Sequence, residues 1–491
     1  MSTKTPTNVP TSVPNKSRPG ADVGKRRCLS DGQTQKPTPK QVKMATNNSP
    51  NSSPNTHGKS GNMLRKLCLR RRRFWYLVIV FVFLLFAYTQ ILSWNSDNSS
   101  RWFDQVQMFD QSDGKLFSNR HSKNTHEEEH THQIRDEDKE LDRIHRERRT
   151  RLQEVCSNRN LAYLGKSREE QVREHFIFDE KSQVLYCTIE KVGSTFWRRL
   201  FQILAGKSKV KSPFDIMPAH ALGGNVHTFA DLPFHLITSI VSSYTKFLIV
   251  RNPFERLYSG YVDKIFSLHF AYIGKHIVIT QRKNATRHSK NCGHDVTFAE
   301  FVRYVIKGER TNKNRNAHFS PMYDHCKPCQ IGYDYIGKLE TFEKDTMYIL
   351  RKLNFSSVAS GLEKDFRGRT TNDSAADQAD LLFKYAKIHR KCIDPHEIQK
   401  IYWRKEQIRG LIDPDIPFPF SEKESQNLTA AQYLNAIHRS IGRAKNKDMA
   451  KQFRRDAMLK AYSTIPNSDM QKLKKIFKPD CDIFSYDCNS P

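Results

Sequence analysis

Residues 246–261 read KFLIVRNPFERLYSGY, and this stretch decides the fold. Lys246 to Arg251 has the apolar pattern of a buried strand, Asn252 is a fitting helix N-cap and Pro253 suits the first helical position. Phe254, Leu257, Tyr258, Tyr261 and Ile265 then mark one helix face, with Arg256, Ser259 and Asp263 on the opposite, polar one. An arginine at the strand's end and a serine on the first turns of the next helix can converge on one phosphate, the guanidinium binding it bidentately.

A second strand-turn-helix unit lies upstream. Gln183 to Ile189 (QVLYCTI) is a short β-rich run, followed by Glu190, Lys191, Val192, Gly193, Ser194 and Thr195. Phe196, Leu200 and Leu204 then recur at helical spacing, and Gly206 stands where a C-cap would. A small-residue loop at a helix N-terminus turns several backbone N–H groups toward an anion. Lys191 adds a full charge, and Ser194 and Thr195 add hydroxyls. Many such turns serve only to cap a helix, and this one lacks the G-x-x-x-x-G-K-[ST] spacing of nucleotide hydrolases.

Outward from these units the chain divides by composition. Residues 1–73 hold sixteen Lys and Arg against two acids and are rich in Pro, Ser, Thr and Asn, as expected of a disordered basic tail. Phe74 to Trp94 is 21 residues without a charge, enough to span roughly 30 Å of hydrocarbon as a helix. Arg70 to Arg73 precede it and no positive charge follows at once, so the tail is expected in the cytoplasm and all later residues in the lumen. A signal peptide would be shorter and nearer the N-terminus. Residues 95–155 alternate charge signs and read as a lumenal stem, a solvated helix or loose stalk. His121, His126, His130, His132 and His145 lie there without an apolar scaffold to hold a metal. From 156 to 491 apolar periodicity persists, as expected of one large domain.

The net charge of +29 carries no groove-reading motif, so nucleic acid is not the expected partner. Eight of ten cysteines follow the span, an even number available for disulfides in an oxidising lumen. Cys326 and Cys329 form a C-x-x-C with no second pair at zinc-finger spacing, which favours a disulfide or packed loop over a metal. Lumenal glycosylation sequons occur at Asn98, Asn284, Asn354, Asn372 and Asn427.

Lys191-Val-Gly-Ser-Thr-Phe-Trp197 resembles the 5′-phosphosulfate loop, and Arg251-Asn-Pro-Phe-Glu-Arg-Leu-Tyr-Ser259 the 3′-phosphate motif, of Golgi carbohydrate sulfotransferases, closest to the HNK-1 and chondroitin/dermatan 4-O-sulfotransferase family. Tyr323 to Cys329, Tyr333 to Glu340 and the closing Tyr462-to-Asp487 region extend the resemblance over most of residues 180–487. It implies an α/β fold, a central parallel sheet flanked by helices like that of P-loop nucleotide hydrolases, following one transmembrane helix. It also implies a Golgi type II membrane enzyme using 3′-phosphoadenosine-5′-phosphosulfate (PAPS) without a metal. Lys191 is then expected at the bridging and 5′-phosphate oxygens, residues Val192 to Phe196 around the 5′-phosphosulfate, and Arg251 and Ser259 at the 3′-phosphate, with Trp197 or Arg198 supporting the loop. Glu190, Gly193-Ser194 and Asn252 depart from the family's usual residues, and Glu190 is expected to face solvent.

A sugar hydroxyl needs a general base, commonly His. His227, between the two motifs, is the first candidate and His318 the reserve. The acceptor implied is a glycan or proteoglycan, GalNAc of chondroitin or dermatan or a related terminal sugar, which the lumenal basic excess suits. A lumenal nucleotide-dependent kinase, or an inactive glycan-binding protein of the same fold, would use the same anion loops. The sequence sets neither the disulfide pairing nor the oligomeric state.

Overall fold

The computed structural model describes residues 123–157, 172–222, 226–230, 232–441 and 447–491. The basic tail, the apolar span 74–94 and Asn98 lie outside them. Among the described residues no helix is long and apolar enough to cross a membrane.

Five strands form one sheet: β1 (Phe176–Asp179), β2 (Val184–Cys187), β3 (His227–Thr228), β4 (Thr245–Val250) and β5 (Tyr335–Lys338), in the order β3-β1-β2-β4-β5. β2, β4 and β5 run parallel, but β1 is antiparallel to β2 and β3 to β1. The sheet is therefore mixed, where a parallel one was expected. Residues 180–183, with Gln183 at φ 52°, connect β1 to β2, and so short a link closes only an antiparallel pair. β2 is buried along its whole length and β4 from Phe247 to Val250, as parallel strands covered on both faces must be.

Helix α1 (Lys123–Ser157) crosses the expected boundary between stem and domain at residue 155. Leu141, Leu152 and Val155 join the main core, so this part of the chain is packed and not a loose stalk. Its charges find partners across the interface. His145, 1% exposed, stacks on Tyr348 and lies 3.1 Å from Asp345, to which Arg148 donates at 2.9 Å. Ile336 N donates to His145 Nδ1, so Nε2 carries the proton given to Asp345. Arg351 pairs with Asp138, and Cys156 is bonded to Cys329. Alternating charge looked solvated because these partners lie some 200 residues downstream.

Cys326 of the C-x-x-C pairs with Cys187, and the remaining disulfides are Cys292–Cys392 and Cys481–Cys488. Cys187 ends β2, so the bridge fixes the segment before Cys326 beside the loop that follows this strand. The sequon asparagines Asn284, Asn354, Asn372 and Asn427 are exposed.

Asp345 accepts from His145, Arg148, Thr341 Oγ1 and Lys338 N in the interior. Asp345→Ala takes this acceptor from the Arg148 guanidinium and from three other donors in the interior and should cost about 3–5 kcal/mol in a denaturant titration. A loss under about 1 kcal/mol would show that α1 is not an integral part of the domain.

Candidate active site

Because β2 and β4 are adjacent and parallel, with Cys187 opposite Leu248, the loops that follow them leave the same end of the sheet side by side. The first loop, 188–193, reaches helix α2 (Ser194–Leu204) through Lys191 at φ 70° and Gly193 at φ 88°. A Cβ on Gly193 would come within 2.7 Å of the Phe342 ring, so both the dihedral and the space demand glycine. Val192 is fully buried. Phe196 is a packing residue: its amide donates to Gly193 O, and its ring sits among Phe214, Phe342 and Phe366. Trp197 is buried against Tyr186 and Phe247, and Arg198 donates to Thr188 Oγ1 at the loop's start. Glu190 does not face solvent. Its side chain turns in toward His175, 4.0 Å away, and its carbonyl accepts from Arg256 Nε.

At the second junction Asn252 Oδ1 accepts from Phe254 N and Glu255 N and caps helix α3 (Pro253–Gly260). Arg251, 13% exposed, extends back over the first loop: Nη1 donates weakly to Lys191 O at 3.5 Å and Nη2 lies 3.3 Å from Glu255. Its Nε is buried with no partner. Burial lowers its pKa against the opposing pull of Glu255. The hydroxyls of Ser194, Thr195 and Ser259 make no hydrogen bonds among the described residues. Two long contacts, one orphaned N–H and three unspent hydroxyls thus remain around the two junctions, the donor set an anionic ligand requires.

Lys191 Nζ is 2.6 Å from Asp263 Oδ2, and the same carboxylate receives Lys264 at 3.2 Å and Lys405 at 2.7 Å. Asp263 and Lys264 sit in a π-helical turn, Tyr261–Phe266, that prolongs α3. Lys405 comes from helix Pro395–Ile408 and is 1% exposed. Burial alone would raise the Asp263 pKa, but the three ammonium groups hold it well below the usual range. Burial pushes Lys191 down to about 8, outweighing Asp263 while Lys264 and Lys405 add repulsion.

The other matching segments brace this end of the sheet. Arg256 donates to Ala317 O and Ser320 O as well as to Glu190 O, tying the first loop to the segment before Cys326. Asp480 accepts from Met322 N and Tyr323 N, and burial raises its pKa to about 7. Glu340 accepts from Asn252 N and from Tyr486 Oη.

His227 is not brought to this place. It lies exposed on edge strand β3 opposite Phe178, which pairs with Leu185, so it stands two strands from β2 and toward the opposite end of the sheet. His318 is close: burial, then the charges of Lys264 and Lys191, press its pKa down to about 2. Lys264, Lys405 and His269, whose Nδ1 lies 3.2 Å from Lys264 Nζ, are neighbours that sequence reasoning passed over. Asp263 was visible as a polar-face residue, but the lysines it gathers were not.

Residues 174–404, which include both junctions, match the Sulfotransferase family. Carbohydrate sulfotransferase 11 of Rattus norvegicus is 37% identical over 220 residues, covering 42% of this chain and 61% of the relative. Carbohydrate sulfotransferase 11 of Danio rerio is 35% identical over 251 residues, 48% of this chain and 68% of the relative. Carbohydrate sulfotransferase 14 of Danio rerio is 32% identical over 209 residues, 41% of this chain and 55% of the relative. No solved structure matches. The chain thus spans 61% of the rat relative's length, and both strand-to-helix junctions fall within the matched region; with 68% of the Danio rerio sulfotransferase 11 covered at 35% identity, the chain belongs to the sulfotransferase family.

Proposed function

We propose that this protein transfers sulfate from PAPS to a hydroxyl of a glycan. The observation that carries the reading is the meeting of Arg251 with the Lys191 loop, since one nucleotide bearing phosphate on both ends of its ribose would span the two junctions. Lys191 takes the bridging and 5′-phosphate oxygens, with the backbone of Val192 to Thr195 and the hydroxyls of Ser194 and Thr195 around the phosphosulfate. Arg251 and Ser259 take the 3′-phosphate, which satisfies the orphaned Arg251 Nε. This is the arrangement expected of a P-loop-like sulfotransferase fold.

PAPS supplies an activated sulfuryl group, and the chain's task is to position it and neutralise the charge that gathers on the departing phosphate oxygen. Lys191 does this as an ammonium. Asp263 holds that ammonium by the loop, and Lys264 and Lys405 keep the surroundings positive. The relatives are carbohydrate sulfotransferases, which favours a glycan acceptor, and the lumenal basic excess suits an anionic one such as chondroitin or dermatan. Four disulfides favour an oxidising compartment, which agrees with a Golgi enzyme held by residues 74–94.

Purified full-length protein should sulfate a chondroitin, dermatan or heparan acceptor with labelled PAPS and transfer nothing from labelled ATP. Lys191→Ala should lower kcat by about 10²–10³, whereas His227→Ala should stay within about twofold of wild type. Phosphate transfer from ATP without use of PAPS would establish the kinase instead, and glycan binding without turnover the inactive protein.

The position of Lys191 sets a pH dependence. Its folded pKa lies below its unfolded one, so between about pH 8 and 10.5 the unfolded chain holds the extra proton and this lysine's penalty to stability fades as pH rises. A bound anion favours the ammonium. Affinity for adenosine 3′,5′-bisphosphate should therefore fall about tenfold from pH 7 to 9, with proton uptake on binding near pH 8. Titration calorimetry in buffers of different ionisation enthalpy measures both, and Lys191→Met should remove the dependence.

A further inference from the structure

The reading above leaves the acceptor's proton without a destination, since His227 stands away from the junctions. Four other histidines lie close enough to be considered. His175 and His325 pack against one another, rings tilted by 39°, in the interior, with His175 Nδ1 bonded to Thr188 O, which leaves both out of a substrate's reach. His269 Nδ1 lies 3.2 Å from the Lys264 ammonium, a group that only donates, so that nitrogen's lone pair is engaged and Nε2 carries the proton.

His318 differs. Its backbone N–H donates to Asn316 Oδ1 at 3.0 Å, which fixes which end of the Asn316 amide is the oxygen. The same oxygen lies 2.9 Å from His318 Nδ1, so Nδ1 must carry the proton and Nε2 must hold the lone pair. Nε2 has no hydrogen-bond partner among the described residues, and the side chain is only partly buried. The ring's edge meets Phe270, and Gly260 leaves room for the backbone here, since a Cβ on it would lie 3.0 Å from His318 O.

The geometry points to His318 Nε2 as the general base that takes the proton of the acceptor hydroxyl, with Asn316 as the residue that fixes its tautomer. This assignment rests on the sulfuryl-transfer reading. The hydroxyl oxygen forms the new bond to sulfur as its proton passes to Nε2. The bond from sulfur to the 5′-phosphate oxygen breaks, and its electron pair leaves on that oxygen beside Lys191. A sulfate ester, adenosine 3′,5′-bisphosphate and an imidazolium result, and the imidazolium returns its proton to water. Burial, then the charges of Lys264, Lys191 and Arg256, keep the resting imidazole neutral against Asp263, and the negative charge of bound PAPS offsets those cations and raises the ring's basicity for the transfer.

The test uses full-length protein, labelled PAPS and whichever of chondroitin, dermatan or heparan the wild type sulfates. His318→Gln should lower kcat at least about 100-fold, with affinity for adenosine 3′,5′-bisphosphate within about twofold of wild type. That binding measurement also shows that the variant is folded; if it is not, His318→Ala is measured in its place. Asn316→Asp puts a carboxylate on Nδ1–H, favours the imidazolium and should move the acid limb of the kcat–pH profile up by at least about one unit, a shift that a purely structural role would not produce. Wild-type kcat in the His318 variant, or an acid limb unmoved in Asn316→Asp, overturns the assignment. A wild type that binds the bisphosphate yet transfers no sulfate sinks the transfer reading, and this assignment with it.

Discussion

Parallel pairing of β2 with β4 is the constraint on which the site depends. Neighbouring strands lie about 4.8 Å apart, and a parallel register makes both successor loops leave the same end of the sheet. Lys191 and Arg251, 60 residues apart in the chain, come within one hydrogen bond of each other through this pairing alone. An antiparallel pair would have sent the second motif to the opposite end. Everything else at that end holds the two loops in place: the Cys187–Cys326 bridge, the Arg256 fan of three carbonyls, and the Glu340 link to Asn252.

Charge is assembled there at a cost. Three lysines meet on Asp263 with little solvent between them, and each would prefer water. A folded protein keeps such an arrangement when a ligand completes it, and here the net excess of positive charge faces the loop where a phosphosulfate would bring negative charge. Asp263 keeps Lys191 in position beside the loop.

Much of this was legible in the chain itself, for local reasons. Asn252-Pro253 caps a helix by its own chemistry, and Gly193 announces a turn that needs positive φ. Four features were not. The β1–β2 hairpin made the sheet mixed, because a four-residue strand carries little pattern. Helix α1 looked solvated because its partners, Asp345 and Arg351, lie far down the sequence. His227 seemed well placed by its position between two motifs, but order along the chain does not fix position in a sheet whose strands are joined by crossovers. Lys405 belongs to a helix with no anion-loop signature, and only tertiary packing brings it to Asp263.

The two-ended grip is tested most directly by comparing adenosine 5′-phosphosulfate, which lacks the 3′-phosphate, with PAPS in binding to wild type and to Arg251→Ala. A grip with Arg251 on the 3′-phosphate predicts that wild type prefers PAPS by about 10²-fold and that Arg251→Ala loses this preference while binding the 5′-phosphosulfate ligand as before. An unchanged preference in Arg251→Ala would contradict it.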